Sequence, residues 1–403
     1  MSGAMVSAVL MLLVVHGIGA PADREPGAEM PAVGPRGAVG ADVPLSDAEE
    51  REFATRVTVE GRTDGAVQAA CERALEEGTD AVFLPAGRYV FQKEVRVPGG
   101  LTLFGEGPTT LCQTEGRDTH LFRVDGDGVR FTRLKLQGAD TSQSKTNNTY
   151  GINVSGKQNI RIDHCELLGF SYATNFASEA TAQVDHCYIH DCPRDGLGYG
   201  VAVYSGAYVL VMDNEFSQCR HCLASNGSLD WGSPRRLGRY VHKPGFRKTH
   251  WEFTHNRVNG DDRTRYRLCA VDTHPGMDGT FVVENNIFEN VRHGVGIRDG
   301  SGIIRGNLFR NLSGRRPVGI SISYGEHNGI PVEGCMPHDV EVQGSVFVSQ
   351  GAEPEKYRIG RAENIIIDGQ LVPQTRSGDR AQAPMPRLVP MDAEGILRVA
   401  RRD

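Results

Sequence analysis

A short phrase recurs along the middle of the chain and limits what it can fold into. Tyr150-GINVSG, Tyr172-ATNFAS, Tyr199-GVAVYSG, His221-CLASNG, Arg267-LCAVDT, His293-GVGIRDG and Val318-GISISYG begin 22, 27, 22, 46, 26 and 25 residues apart. A second phrase keeps the same period: His164-Cys-Glu-Leu, His186-Cys-Tyr-Ile, Asn214-Glu-Phe, Asn256-Arg-Val, Asn286-Ile-Phe and Asn307-Leu-Phe. Short strands at such a period, separated by Gly and Asn turns, predict coils that stack and bury their alternate side chains on one another. A β-sandwich would place its turn signals every 8–12 residues or so, without matching phrases. The expected fold is therefore all-β, a single-stranded right-handed parallel β-helix. A solenoid grows by stacking, so 403 residues need not divide into several globules. The 49 glycines, with Asn, are expected at coil corners in left-handed turns.

The ends read differently. Val6 to Val15 is an apolar run followed by Ala20-Pro21-Ala22, which predicts a secretory signal peptide over 1–22 and a secreted or periplasmic protein. The run is too short to span a bilayer. Residues 23–50, rich in Pro, Gly and Ala, read as a flexible linker, 51–370 as the β-helix domain, and 371–403 as a C-terminal tail. Thr63-DGAVQAACERALEE-Gly78 has the caps and spacing of an amphipathic helix, expected to cap the solenoid. Nine cysteines leave at least one unpaired. Cys219 and Cys222 lack a second pair for zinc. Cys192 and Cys219 occupy equivalent places on neighbouring coils, as a disulfide or as two buried thiols.

Stacking turns register into geometry, since neighbouring coils lie about 4.8 Å apart. With Val295 and Ile297 inward, three outward columns follow. One is Gly151, Ala173, Gly200, Cys222, Leu268 and Gly294, and a second is Asn153, Asn175, Ala202, Ala224, Ala270 and Gly296. Both read as a shallow floor. The third carries Ser155, Ala177, Tyr204, Asn226, Asp272, Arg298 and Ser323, with His274 two residues beyond Asp272. Tyr204, Asp272, His274 and Arg298 are the candidate catalytic group, with His293 added from the entry ladder Tyr150, Tyr172, Tyr199, His221, Arg267 and His293. Asn226, His221, Arg267 and Arg292 are candidate substrate contacts.

The 46-residue interval is about one coil too long. Its residues 231–250 hold Arg235, Arg236, Arg239, Lys243, Arg247 and Lys248 and no acid, a local charge of +6 in a chain of net charge −6. A long basic loop beside Asp272 reads as a substrate wall for a polyanion. His250 is assigned to that wall, with Trp231 and Trp251 as stacking platforms for sugar rings. The net charge excludes a general nucleic-acid binder.

The Thr63-DGAVQAA helix, Leu84-PAGRY and Leu103-FGEG together resemble the first coils of the pectate-lyase-like superfamily, over residues 58–370. That resemblance implies the right-handed β-helix and leaves function open. Val271-Asp-Thr-His-Pro275, Val283-Glu-Asn-Asn286 and Arg292-His-Gly294 resemble the mannuronan C5-epimerases and related alginate-modifying enzymes. On that resemblance Asp272 and His274 take the catalytic Asp and His. Thr273 and Pro275 depart from the motif, and its tyrosine falls on Cys269. Asp195, Asp261, Asp262 and Arg292-His-Gly294 resemble polygalacturonase phrases more faintly.

The expected activity is that of a secreted enzyme on an acidic polysaccharide, a β-elimination lyase or C5-epimerase. A polygalacturonase-like hydrolase and a non-catalytic glycan-binding β-helix are the alternatives. Abstraction of the proton next to a uronate carboxylate needs a neutraliser, a base and an acid. Arg298 or Arg292 fits the first, His274 the second and Tyr204 the third. No cofactor is required, although calcium could be held through Asp261, Asp262, Asp272 and Asp278. A monomer is expected rather than a homotrimer.

Overall fold

The recurring phrase pairs with itself, coil to coil, as parallel strands. The computed structural model describes residues 33–260, 269–351, 353–373, 385–391 and 396–401. Residues 1–22, Asp261, Asp262 and Arg267 lie outside them. Among the described residues no helix is long and apolar enough to cross a membrane.

One face is a ten-stranded parallel sheet. It runs from Val95–Val97 through Phe122–Val124, Tyr150–Ser155, Tyr172–Ala177, Tyr199–Val203, His221–Ser225, Cys269–Thr273, His293–Ile297 and Val318–Ile322 to Glu355–Ile359. A second ladder stacks Ile160–Asp163, Thr181–Asp185, Tyr208–Met212, His250–Thr254, Thr280–Glu284 and Gly300–Arg305. A third stacks the short strands Glu166–Leu168, Tyr188–His190, Glu215–Ser217, Arg257–Asn259, Ile287–Glu289 and Leu308–Arg310. Each coil therefore contributes a strand to each of three ladders. The helix Asp64–Glu77 closes one end, its Val67, Ala70, Cys71 and Ala74 buried in the same core as Val95 and Val97.

The core is sorted by coil position. Phe288, Phe309 and Phe347 stack with ring centroids 5.0 and 4.8 Å apart. Gly294 and Gly319 face these rings: a Cβ at either would run into Phe309 or Phe347. The column that begins at Gly151 thus points inward and is no substrate floor. Its glycines make room for phenylalanine.

Glycines and asparagines such as Gly156, Gly169, Asn159 and Asn290 do take the left-handed conformation, as expected, but the asparagines of the second phrase, Asn214, Asn256, Asn286 and Asn307, do not. That conformation falls one residue earlier, at Asp213, His255, Asn285 and Gly306, and at His164 and His186 on the preceding coils. The buried asparagines instead form a ladder, each amide oxygen accepting the backbone N–H of the previous rung: Asn256 to Asn286 at 2.8 Å and Asn286 to Asn307 at 3.0 Å. All nine cysteines are free thiols, and Cys192, Cys219 and Cys222 are packed in the core.

The described part of the expected linker, residues 33–50, straps the coils together. Gly34 N–H donates to Asn285 O at 2.9 Å, and Arg36 grips the Asp213 carboxylate at 2.9 and 2.8 Å. Arg133 donates to the Val43 and Pro44 carbonyls at 2.8 and 3.0 Å. Glu49 closes the strap on Arg130 and Arg133 at 2.6 and 2.8 Å. The C-terminal segment is not simply a tail either: Pro386–Val389 pairs antiparallel with Arg398–Arg401, and Leu388 and Leu397 pack on Leu210 and Met212.

Burial works to raise the Glu49 carboxyl, but bonds from Ser46, Arg133 and Arg130 outweigh it and bring it to about 2. A depressed acid stabilises fully above its unfolded pKa and loses that stabilisation as pH falls through the folded one. Glu49→Gln should therefore cost roughly 2–3 kcal/mol at neutral pH. The difference from wild type should shrink between pH ~4.5 and ~2. Denaturant midpoints across that range check it, and a constant difference at all pH values would refute the charge argument.

Candidate active site

The ten-stranded face carries the cluster, and strand register explains how. Ala224 pairs with Asp272 and Asp272 with Gly296, while Ser225 pairs with Thr273 and Thr273 with Ile297. Asp272 therefore belongs to the second outward column, two residues from its expected register. His274 takes the place in the third column beside Asn226 and Arg298. Because side chains alternate with period two, the slip leaves Asp272 on the same face. Cys269, not Arg267, occupies the entry ladder, in register with His293.

Asp272 is the hub. Its Oδ1 accepts from Arg298 Nε at 3.1 Å, and Oδ2 accepts from Arg298 Nη2. His274 Nε2 lies 3.3 Å and His221 Nε2 3.6 Å from Oδ2. Burial alone would raise this carboxyl, but Arg298, His274 and His221 hold it far below the usual carboxylate range. Asp272 is thus a fixed anion that orients what surrounds it. Arg298 is itself held charged: burial opposes the charge and Asp272 outweighs it. Among the described residues no bond engages Arg298 Nη1.

The cluster opens into a cleft of about 440 Å³ lined by His274, Arg298, Arg220, Tyr204, Trp231 and His327, among others. A second hollow of about 390 Å³ at the helix-capped end, between Leu75 and Leu101, gathers no such cluster. Tyr204 lies 6.4 Å, centroid to centroid, from Tyr172, and burial, with Tyr172 and Tyr199, keeps its phenol protonated far above the ordinary range. Tyr199 accepts from Arg220 at 3.2 Å and stands 5.7 Å from the His274 ring. These rings cover Ala202 and Ala224, so that part of the expected floor is closed. Asn226 lines the cleft with its side chain turned to Gly227 N–H at 2.8 Å.

Three of the six basic residues of the wall are paired with carboxylates. Arg236 pairs with Asp230, Arg239 with Glu333 at 3.6 Å and Lys248 with Asp278 at 3.0 Å. Arg247 lies 3.9 Å over the Tyr208 ring and donates to the Gly206 and Glu179 carbonyls, so it is a clamp and no substrate contact. Arg235, Lys243 and Arg247 have no ion pair among the described residues, and of these Arg235 and Lys243 are not held by the clamp.

The tryptophans divide. Trp231 is 57% exposed beside the cleft, edge-on to His327 at 5.2 Å. Trp251 is fully buried and stacks on Phe281 at 5.3 Å, so it is core. His250 is buried too, bonded to Thr280 Oγ1 at 2.7 Å, and cannot meet a polymer. Among the described residues the cleft lining includes neither His293 nor Arg292, and Arg292 Nε donates instead to Arg315 O at 2.7 Å. His221 sits under the cleft, not in it. Asp278 is spent on Lys248, and of the other expected calcium ligands Asp261 and Asp262 lie outside the described residues.

Sequence reasoning missed the second wall. Residues 323–336, between Val318–Ile322 and Pro337–Gln343, bring Glu326, His327 and Asn328 to the cleft. This segment packs on the first loop through Leu229, Tyr240, Val332 and Cys335. Its length and its Gly-rich turns, His327-Asn-Gly and Val332-Glu-Gly, were the available signal.

A family profile described as "Right handed beta helix region" matches residues 122–264. No curated protein sequence matches the chain. Among solved structures it is similar to the catalytic domain of a GH87 alpha-1,3-glucanase in complex with nigerose, at 12% identity and TM-score 0.49, covering 80% of this chain and 60% of that one. It is also similar to an alginate lyase from Paenibacillus sp. str. FPU-7, at 13% identity and TM-score 0.42, covering 80% and 98%. A third is the family 28 exopolygalacturonase of Yersinia enterocolitica, at 11% identity and TM-score 0.45, covering 78% and 71%. The chain spans 60% of the glucanase domain's length.

Proposed function

We propose that this right-handed β-helix protein is an exported enzyme that abstracts the proton next to the carboxylate of a uronic acid in an acidic polysaccharide. The observation that carries the reading is the Asp272–His274 pair, tied to Arg298 at the base of an open cleft. With His274 Nε2 turned to Asp272, Nδ1 is left as the base. Removing the C5 proton moves charge onto the uronate carboxylate, where Arg298 Nη1 and Arg220 can meet it. Tyr204 lines the same cleft and keeps its proton, and it is the proposed donor to the leaving oxygen or to the opposite face of C5. The first outcome is elimination and the second is inversion. Trp231 offers a flat apolar face for a neighbouring sugar ring.

The reading is tested by incubating the protein with mannuronan, guluronan, polygalacturonate and glycosaminoglycans in D2O. Solvent deuterium at C5, or ultraviolet absorbance from a new C4–C5 double bond, is expected in at least one polymer. New reducing ends with neither signal would replace it with a hydrolase. Binding without any chemical change would replace it with an adhesion module.

A further inference from the structure

We propose that His221, Asp272 and His274 form a binding site for a divalent transition-metal ion of the Zn²⁺ class, and that its occupancy competes with proton abstraction. The consequence for turnover rests on the function proposed above, whereas the site itself does not.

The argument starts from a stranded lone pair. His221 Nδ1 lies 2.6 Å from the Cys269 carbonyl oxygen, which can only accept, so the ring proton is on Nδ1. Nε2 of the neutral ring therefore bears a lone pair. It is buried, has no hydrogen-bond partner, and lies 3.6 Å from Asp272 Oδ2, another acceptor. The His221 side chain is only 5% exposed. Two acceptors facing each other away from water need a cation between them.

The donor set suits one. His221 Nε2, His274 Nε2 and an Asp272 oxygen lie within 4.8 Å of one another. Ligands held about 2.0–2.1 Å from a tetrahedral ion are separated by about 3.3–3.4 Å. Two of the separations, 3.3 and 3.6 Å, already match. The surroundings match as well: the Cys269 carbonyl fixes the His221 tautomer and Arg298 bonds the carboxylate, the outer contacts that orient metal ligands. Two imidazoles with one carboxylate favour a borderline ion over Ca²⁺ or Mg²⁺. A metal on His274 Nε2 fixes the remaining proton on Nδ1 and removes the base.

The test uses chelator-stripped full-length protein with Co²⁺ as a spectroscopic probe and Zn²⁺ in calorimetry. One ion per chain is expected, with visible Co²⁺ bands that Zn²⁺ abolishes and millimolar Ca²⁺ does not. His221→Ala should weaken Zn²⁺ at least about 100-fold, more than loss of an outer contact does. His274→Gln should do the same, and serves if the first variant does not fold. Absent bands, wild-type affinity in both variants, or equal competition by Ca²⁺ would each overturn the site. Zn²⁺ should also inhibit polymer turnover at the concentration that fills the site. Filling without inhibition overturns the competition. Co²⁺ bands in a protein that turns over no polymer would sink the proposed function and leave the site standing.

Discussion

His274→Ala should lower turnover of the uronate polymer about 10²–10⁴-fold, the usual contribution of a positioned general base. The loss should fall on kcat, because Trp231, Arg220 and Arg298, the proposed polymer contacts, still line the cleft. The variant should fold. His274 follows the end of its strand, and its ring stands 5.7 Å from both Tyr199 and His221 in the cleft, outside the apolar core. Circular dichroism and the melting temperature provide that control. Asp272 stays ionised in the variant because Arg298 still holds it, so no buried carboxylate is left without a cation. Turnover within about tenfold of wild type would remove His274 as the base.

The fold was legible because stacking writes itself into sequence as a period, and a period survives substitutions at single positions. The site was legible only in part, for reasons that sit in particular residues. On the coil carrying Asp272 the two inward side chains are Val271 and Thr273, paired with Leu223 and the buried Ser225. Cys269 and Val271 look more apolar than Val271 and Thr273, so matching on hydrophobicity moves the register by two. The face is conserved under that slip, and Asp272, His274 and Arg298 are still brought together. Trp251 was misplaced although its strand shows the alternation of a core strand, with Trp251 and Phe253 inward around Glu252. The net charge of the loop is lower than its own residues imply, since Asp278 comes from the next coil and Glu333 from the second excursion. His327 was invisible for a similar reason: what places it is packing between two excursions, and no period records that.

The asparagine ladder should be worth more than any one apolar contact near it. Asn286 is fully buried. Its Oδ1 accepts from Asn256 N–H at 2.8 Å, and its Nδ2 donates to Phe253 O at 2.8 Å and to Asn307 Oδ1 at 2.9 Å. Alanine removes these three and the bond from Asn256 Nδ2 at 3.2 Å, and it leaves the Asn256 N–H buried without its partner. The orphaned N–H costs about 1–3 kcal/mol and each further bond lost about 0.5–1.5, so Asn286→Ala should destabilise by roughly 2–5 kcal/mol. A solenoid is held by neighbour-to-neighbour interfaces, so the loss should be local. It weakens the junction between the coil of Trp251 and the coils beyond it, where His274 and Arg298 meet. Trp251, stacked on Phe281, reports that junction by fluorescence. In Asn286→Ala its transition should move to lower denaturant, and turnover should be lost along the same curve. A midpoint shift worth less than about 1 kcal/mol would show that the side-chain ladder adds little beyond the parallel strands it links.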